Sequence, residues 1–150
     1  MERRVAVRGL IIHNGKLLCA RLKPYNGVDH DYWCTPGGGL DAGESLEAGV
    51  KREIIEETGI TPIIGRLRYI QQYAPKQKSE REQMELFFII DNPEDFLKID
   101  LSATTHGQHE IETIDFVDPA TENVLPKFLQ DISIEDILGG NRVELFNYLP

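Results

Sequence analysis

The stretch GGLDAGESLEAGVKREIIEETGI, from Gly38 to Ile60, decides the fold of this chain. Residues 36–39, which overlap the start of this stretch, are a proline and three glycines. We expect them to interrupt regular structure. Residues 45–58 have helical composition, and Gly59 follows where a left-handed C-terminal cap belongs, with Pro62 just beyond. The stretch therefore predicts a glycine-rich loop that leads into one well-defined helix.

Three glutamates share one face of this predicted helix. Because each helical residue advances by about 100°, Glu56 and Glu57 lie within roughly 60° of Glu53. Leu46 and Val50 project onto the same face, so the apolar stripe of the helix turns acidic in its C-terminal half. Burying like charges together is unfavourable unless cations neutralise them. The pattern predicts a site for a hard divalent ion, Mg²⁺ first and Mn²⁺ as the alternative.

An exposed acidic patch on an ordinary helix is the competing interpretation, because charge runs such as residues 52–57 are common on protein surfaces. The spacing to the preceding loop separates the two interpretations. Five residues lie between Gly38 and Glu44, and seven lie between Glu44 and the run Arg52-Glu53-Ile54-Ile55-Glu56-Glu57-Thr58-Gly59-Ile60.

This arrangement resembles the Nudix box, whose pattern is Gly, five residues, Glu, seven residues, Arg-Glu, an aliphatic, any residue, Glu-Glu, any residue, Gly and an aliphatic. Every fixed position is matched. Trp33, residues 36–38 and the order of the surrounding strands extend the resemblance from the first hairpin to about residue 119. The resemblance implies an α+β Nudix fold, an α/β/α sandwich with a mixed, mostly antiparallel central sheet. We expect one domain over residues 1–150, a common domain length.

The resemblance also implies which residues carry function. Arg52 matches the arginine that orients one of the family's metal-binding glutamates through a salt bridge. Glu44 matches the loop glutamate near the metals, and Gly38 lets the backbone approach the site. The metal site implied in this way comprises Gly38, Glu53, Glu56 and Glu57.

Many Nudix hydrolases have a further glutamate in a loop before a late strand, where it binds metal or activates water. Glu110 and Glu112 are the candidates here, and Glu110 is preferred because it ends a polar loop, residues 105–109. On the strand that follows, Glu112 alternates with apolar residues, so it would be the one aimed at the cluster if that face lies beside the helix. His106 and His109 are expected to be solvated, as loop histidines usually are.

Substrate contacts are harder to assign from the sequence. Arg21, Arg66 and Arg68 are basic residues near the predicted mouth of the site and are candidates to bind a distal phosphate. Trp33 is expected in the core, and Tyr32 is its neighbour in a short strand over residues 32–35.

Patterning outside the box predicts most of the other elements. Asn14-Gly15 between two strand-like runs is a strong hairpin signal. The remaining predictions are strands over residues 65–73, 83–91 and 111–117, a polar loop over 74–79, and a helical region over 126–138 that 131–133 are suited to divide; residues 142–150 receive no assignment.

Composition limits the function classes. The net charge of −9 argues against binding to long nucleic acid, because that affinity depends on lysine and arginine neutralising phosphates. No run approaches the roughly 18 apolar residues of a membrane-spanning helix, so neither a membrane partner nor a location outside the cytoplasm is expected. Two cysteines are too few for a disulfide framework. A homodimer stays open as an assembly state.

The resemblance implies a metal-dependent hydrolase that cleaves a diphosphate linkage in a nucleotide-like small molecule. A nucleoside triphosphate or an oxidised nucleotide ranks first as substrate, and ADP-ribose or a nucleotide sugar ranks second. Two other classes are weighed against this one. A non-catalytic ligand sensor need not keep every acidic side chain of the box, and an isoprenoid diphosphate isomerase would need a catalytic cysteine and a histidine-rich metal site.

Overall fold

The structure, a computed structural model, describes residues 2–74 and 81–150. No helix in these two ranges is long and apolar enough to span a membrane. The strands are β1 (Arg3–Leu10), β2 (Ile12–His13), β3 (Lys16–Leu22), β4 (Trp33–Cys34), β5 (Gly37–Gly39), β6 (Ile64–Tyr73), β7 (Glu82–Ile90), β8 (Ile111–Val117), β9 (Val124–Leu125) and β10 (Glu144–Asn147). The α-helices are α1 (Leu46–Thr58), α2 (Gly107–Glu110) and α3 (Ile134–Gly139), and 3₁₀ helices cover Pro93–Lys98, Leu101–Ala103 and Lys127–Gln130.

The strands form two mixed sheets. The first has the order β10–β6–β7–β1–β5, with β7 parallel to β1 and antiparallel to β6. In the second, β3 pairs with β2, β4 and β8, and β9 pairs with β4. The predicted α+β class is confirmed, and the pairings are mostly antiparallel as expected. The strands are divided between two sheets, because the chain passes from the first sheet to the second at Ile11, between β1 and β2.

Both faces of the first sheet are buried, which is why β7 contains a continuous apolar run. Phe88 and Ile90 pack with Val50 and Ile54 of α1 on one face. On the other face, Phe87 and its neighbours pack against the second sheet, the 3₁₀ helix Lys127–Gln130 and α3. Successive residues of a strand point to opposite faces, so a strand covered on both sides carries no polar alternation.

Several predicted elements are confirmed. The hairpin turn lies at Asn14 and Gly15, both with positive φ, at 50° and 73°. The helix of the box, the strands expected over 65–73, 83–91 and 111–117, and the division of the C-terminal helical region after Lys127–Gln130 are all present. Of the loop predicted over 74–79, residues 75–79 lie outside the described residues.

The expectation that residues 36–39 only break regular structure is wrong for Gly37–Gly39. These glycines form β5, which is antiparallel to β1 with Gly38 opposite Val7. Gly37 has a φ of 147°, and a Cβ there would collide with the carbonyl oxygen of Val7. Glycine is therefore required at residue 37, because two backbones approach closely there.

The unassigned C-terminal residues also contribute a strand. β10 lies parallel to β6 at the other edge of the first sheet, with Leu145 opposite Ile70. Its partner is distant in the sequence, so no local pattern indicates this pairing.

Candidate active site

Both ends of α1 are capped, which fixes where its glutamates lie. The Ser45 hydroxyl accepts a hydrogen bond from the Ala48 N–H at 3.1 Å. Gly59 adopts the left-handed conformation with φ 74°, and its N–H donates to the carbonyl of Ile55 at 2.8 Å. The middle of the helix is held by Val50 and Ile54, which are fully buried against the first sheet.

Arg52 joins three carboxylates. Its Nε and Nη2 donate to both oxygens of Glu44 at 2.7 and 2.9 Å, and its Nη1 donates to Glu53 at 3.0 Å and to Glu56 at 3.2 Å. The hydrogen bonds from Arg52 lower the pKa of Glu44 to about 2. Arg52 also donates to the carbonyl of Gly39 at 3.1 Å, so one guanidinium connects α1, the preceding loop and β5.

Gly49 allows the loop before α1 to fold over the helix. A Cβ at this position would collide with Leu40 and lie 3.1 Å from the Glu44 carboxylate. The glycine is a poorer helix former than alanine, but it lets Glu44 reach Arg52.

Glu57 lies at the point where α1 meets β5. Its carboxylate accepts a hydrogen bond from the Gly37 N–H at 3.2 Å. Burial raises the pKa of Glu57 to about 8, although Arg8 and the Gly37 N–H act in the opposite direction. Glu53 lies next to Gly38, where a Cβ would be only 2.6 Å from its carboxylate oxygen.

The donor set fits a hard divalent cation. All of the side-chain donors are carboxylate oxygens, which Mg²⁺ prefers. Burial raises the pKa of Glu53 as well as that of Glu57, so both are difficult to ionise together without a nearby cation. Within residues 2–74 and 81–150, no three His, Cys, Asp or Glu side chains are already grouped as a metal site. Glu53 and Glu56 instead each form an ion pair with Arg52.

Glu110 is exposed and belongs to the segment that packs on the C-terminal end of α1. It ends α2, and its negative charge contributes to the raised pKa of Glu57. Glu112 is likewise exposed, on β8. His106, expected to be solvated, places its Nδ1 3.0 Å from the Glu56 carboxylate although half of its side chain is exposed.

A cleft of about 410 Å³ is lined on one side by Arg8. Arg8 relates this cleft to Glu57. It lines the cleft, and its positive charge acts to lower the pKa of Glu57 against the larger effect of burial. Arg8 Nε donates to Glu85 at 2.5 Å, and Gln71 donates to the other Glu85 oxygen at 3.3 Å. Burial raises the pKa of Tyr73 to about 12. The other lining residues are Tyr32, Cys34, Leu125, Pro126, Lys127 and Tyr148.

Residues 2–132 of the chain match the model of the NUDIX domain. This match covers most of the chain and includes the whole cluster described above. The chain belongs to the Nudix family.

The names of similar proteins mention more than one substrate. An ADP-ribose pyrophosphatase from Methanocaldococcus jannaschii is 34% identical over 89 residues, 58% of this chain and 50% of the relative. The nucleoside triphosphatase NudI of Enterobacter sp. is 37% identical over 59 residues, 39% of this chain and 42% of the relative. This chain thus matches about half the length of the curated relatives.

Solved structures support the fold. A NUDIX hydrolase from Nitrosomonas europaea superposes with a TM-score of 0.69 at 18% identity, covering 95% of this chain and 93% of the other. A UDP-X diphosphatase gives 0.66 at 21% identity, covering 97% of this chain and 68% of the other. At these identities the likeness shows the Nudix fold alone.

Two of the three arginines expected to bind substrate have partners elsewhere in this Nudix domain. Arg68 is buried and donates to the carbonyls of Ile137 and Asp136 at 2.9 and 3.0 Å. Arg66 donates to the carbonyls of Leu138 and Gly140. Both therefore hold the C-terminal segment in place, and a substrate role for either stays a prediction.

Arg21 is placed differently from the other two. Its guanidinium lies 4.8 Å from the centre of the Trp33 ring, and its buried Nε has no hydrogen-bond partner among the described residues. Trp33 packs against the core as expected. A substrate role for Arg21 stays a prediction.

The sequence reasoning missed the pair Arg8 and Glu85. Arg8 is a single charge within an apolar run, and Glu85 directly precedes the apolar run of β7; these charges beside apolar strand residues were the available signal. The pairing itself requires β1 to lie beside β7, which no local pattern indicates.

Proposed function

We propose that this chain is a divalent-metal-dependent hydrolase that cleaves the phosphoanhydride linkage of a nucleoside diphosphate derivative. The leading substrate class is a nucleoside triphosphate or an oxidised nucleotide. The observation that carries the proposal is that Arg52 holds Glu44, Glu53 and Glu56 together on and beside the helix that carries Glu57. A separate cleft of about 410 Å³ is large enough for a nucleoside.

The residues that would hold the metal are Gly38, through its backbone, and Glu53, Glu56 and Glu57. When bound, Mg²⁺ lowers the pKa of a coordinated water and offsets the charge that develops on the phosphates. Arg52 keeps the carboxylates of Glu53 and Glu56 oriented towards the same region, and Glu44 anchors that arginine from the loop. Glu110 would accept the proton of the attacking water, because it ends the segment that packs against the backbone carbonyls of Glu56 and Glu57.

The cleft is suited to the nucleoside end of the substrate. Tyr32, Tyr73 and Tyr148 provide aromatic surface for a planar base, and Lys127 adds a positive charge. Arg8 lies between this cleft and Glu57, so its guanidinium is placed for the phosphate nearest the nucleoside. Glu85 fixes the position of Arg8.

ADP-ribose is the second candidate substrate, favoured by the name of the 34% identical relative. A nucleotide sugar belongs to the same class. The other two functions weighed from the sequence have less support. The complete glutamate set argues against a pure ligand sensor. An isomerase would need a reactive thiolate, but burial raises the pKa of Cys34.

The test is a panel of nucleoside triphosphates, oxidised nucleotides, ADP-ribose and nucleotide sugars, each incubated with the protein and Mg²⁺ or Mn²⁺. Release of a nucleoside monophosphate with pyrophosphate, or with the remaining phosphate-bearing half, is the expected product pattern. Glu57→Gln is the negative control, and Glu47→Gln, an exposed glutamate on the same helix, is the matched control. Absence of turnover across the panel with both ions would contradict the proposal.

A further inference from the structure

The inference rests on the proposed role of Glu110 and concerns residues 104–110, which carry it. α2 (Gly107–Glu110) is a single helical turn, and so short a helix is not stable by itself. The position of the Glu110 carboxylate must therefore depend on what this segment contacts.

One set of contacts joins the segment to the end of α1. The N–H of His106 donates to the carbonyl of Glu56 at 3.0 Å. Gly107 is buried against the carbonyl of Glu57, so closely that a Cβ at residue 107 would collide with that oxygen. The last carbonyls of a helix have no partner within it, so they are available for such docking. The segment thus packs against the backbone of Glu56 and Glu57, two of the glutamates proposed to hold the metal.

A second set of contacts gives the segment its shape. The Thr104 hydroxyl accepts a hydrogen bond from the Gln108 N–H at 2.8 Å and donates to the carbonyl of Leu101 at 2.6 Å. The Gln108 side chain donates back to the Thr104 carbonyl at 2.6 Å. Thr104 is buried, and these hydrogen bonds are partly buried.

A third set of contacts holds the opposite side of the segment. The Lys23 N–H, just after β3, donates to the carbonyl of Glu110 at 2.9 Å, and Lys23 Nζ donates to the carbonyl of Gln108 at 2.7 Å. The segment is therefore held between α1 and the end of β3. If the segment were displaced from α1, Glu110 would rotate or shift, because the hydrogen bonds from Lys23 hold the opposite side of the segment in place.

We propose that Gly107 is a positioning residue: it lets α2 rest on the carbonyl of Glu57 and so sets the position of the Glu110 carboxylate relative to the metal cluster. Any side chain at residue 107 would push α2 away from α1. A misplacement of about 1 Å can cost roughly 100-fold in rate when a reaction depends on alignment.

Steady-state kinetics of Gly107→Ala, alone and combined with Glu110→Gln, test the proposal. We expect Gly107→Ala to lower kcat by about 10- to 100-fold, in the range that misplacement of a reacting group can cause. KM should stay within about twofold, because the cleft is not altered. In the Glu110→Gln background the same substitution should cause no further loss, since the group that it misplaces is already gone. Gly139→Ala is the matched control, because no atom lies within 4 Å of a Cβ there.

Thr104→Val provides a second variant that introduces no collision. It removes both hydrogen bonds of the Thr104 hydroxyl, the one accepted from the Gln108 N–H and the one donated to the Leu101 carbonyl, while keeping the shape of the side chain. We expect a smaller loss of kcat, again absent in the Glu110→Gln background. If Gly107→Ala fails to fold by circular dichroism, Thr104→Val decides the question.

Two results would overturn the inference. One is wild-type kcat in folded Gly107→Ala, or in Thr104→Val when that variant decides. The other is an equal loss of kcat with and without Glu110. Either result would leave the proposed hydrolase function intact, because that function depends on turnover by the unsubstituted protein and on its loss in Glu57→Gln.

Discussion

Glu57 differs from an ordinary helical glutamate in what surrounds its carboxyl group. The Gly37 N–H donates to it, Arg8 lies nearby, and Glu53 and Glu110 add negative charge. Burial outweighs the favourable partners and raises its pKa. A perturbed carboxyl in a cleft is a common feature of functional sites.

Substituting the box glutamates should abolish most activity without unfolding the protein. We expect Glu57→Gln and Glu53→Gln each to lose at least about 100-fold in kcat, because a lost metal ligand removes charge stabilisation but little packing. Steady-state kinetics together with a thermal melt measure the two effects separately. Glu47→Gln serves as the control and should retain wild-type kcat. Wild-type turnover in Glu57→Gln and Glu53→Gln would remove α1 from the mechanism.

Glu110 and Glu112 should differ sharply when each is changed to glutamine. We expect Glu110→Gln to lower kcat by roughly 10²- to 10⁴-fold, the range for loss of a general base, and Glu112→Gln to change it little. The reason is that Glu110 ends the segment that packs on the C-terminal end of α1, whereas Glu112 lies beyond it on β8. A loss confined to Glu112→Gln would show that the other carboxylate is the base.

At the level of elements, β5 determines how α1 and β1 approach each other. It lies on β1, supplies the N–H that binds Glu57, and accepts a hydrogen bond from Arg52. A strand made of three glycines has little intrinsic stability. Its place at the sheet edge is therefore set by these contacts.

Two substitutions within β5 should differ in how much they destabilise the protein. Gly37→Ala should lower the free energy of unfolding by more than about 1 kcal/mol, because φ is positive and a Cβ meets the Val7 carbonyl. It should also lower kcat, since the N–H that binds Glu57 would move. Gly39→Ala is the matched control, because its Cβ makes only ordinary contacts with the Arg4 side chain, the nearest at 3.5 Å. Denaturant midpoints of the two variants provide the comparison, and equal midpoints would contradict the account of β5.

At the scale of the whole molecule, the carboxylates couple stability to pH and metal. The folded-state pKa of Glu57, about 8, lies above its ordinary value of 4.5, so the folded protein binds this proton more tightly. The resulting stability is complete below about pH 4.5 and is lost as the pH rises through 8. Glu44 behaves in the opposite sense, because its pKa of about 2 gives stability that is lost only as the pH falls below 4.5.

Without divalent metal, Tm should therefore fall between pH 5 and pH 8, and Mg²⁺ should raise Tm more at pH 8 than at pH 5. The ion binds ionised carboxylates, so binding at pH 5 must first displace the proton from Glu57. Thermal melts in EDTA and in excess Mg²⁺ at both pH values measure this difference. Glu57→Gln should reduce the dependence on both variables. An equal effect of Mg²⁺ at the two pH values would contradict the role given to Glu57.

The sequence by itself determined the local elements and the chemistry of the helix. The positions of the helix of the box, the Asn14-Gly15 hairpin and the longer strands follow from residue periodicity, capping residues and turn residues. The gathering of Glu53, Glu56 and Glu57 follows from the geometry of one helix. All of these depend on interactions between residues close in the chain, which a single sequence records directly.

The tertiary structure alone decided which distant residues meet. From the sequence, Arg66 and Arg68 are candidates to bind substrate. In the structure they form hydrogen bonds with α3, β10 and the residues between them. Arg8 and Glu85 form a pair only because β1 lies parallel to β7, and Gly107 is constrained only because α2 rests on α1. Local patterns define elements and their faces, whereas the choice of neighbouring element depends on how the whole apolar surface is buried, which no short segment specifies.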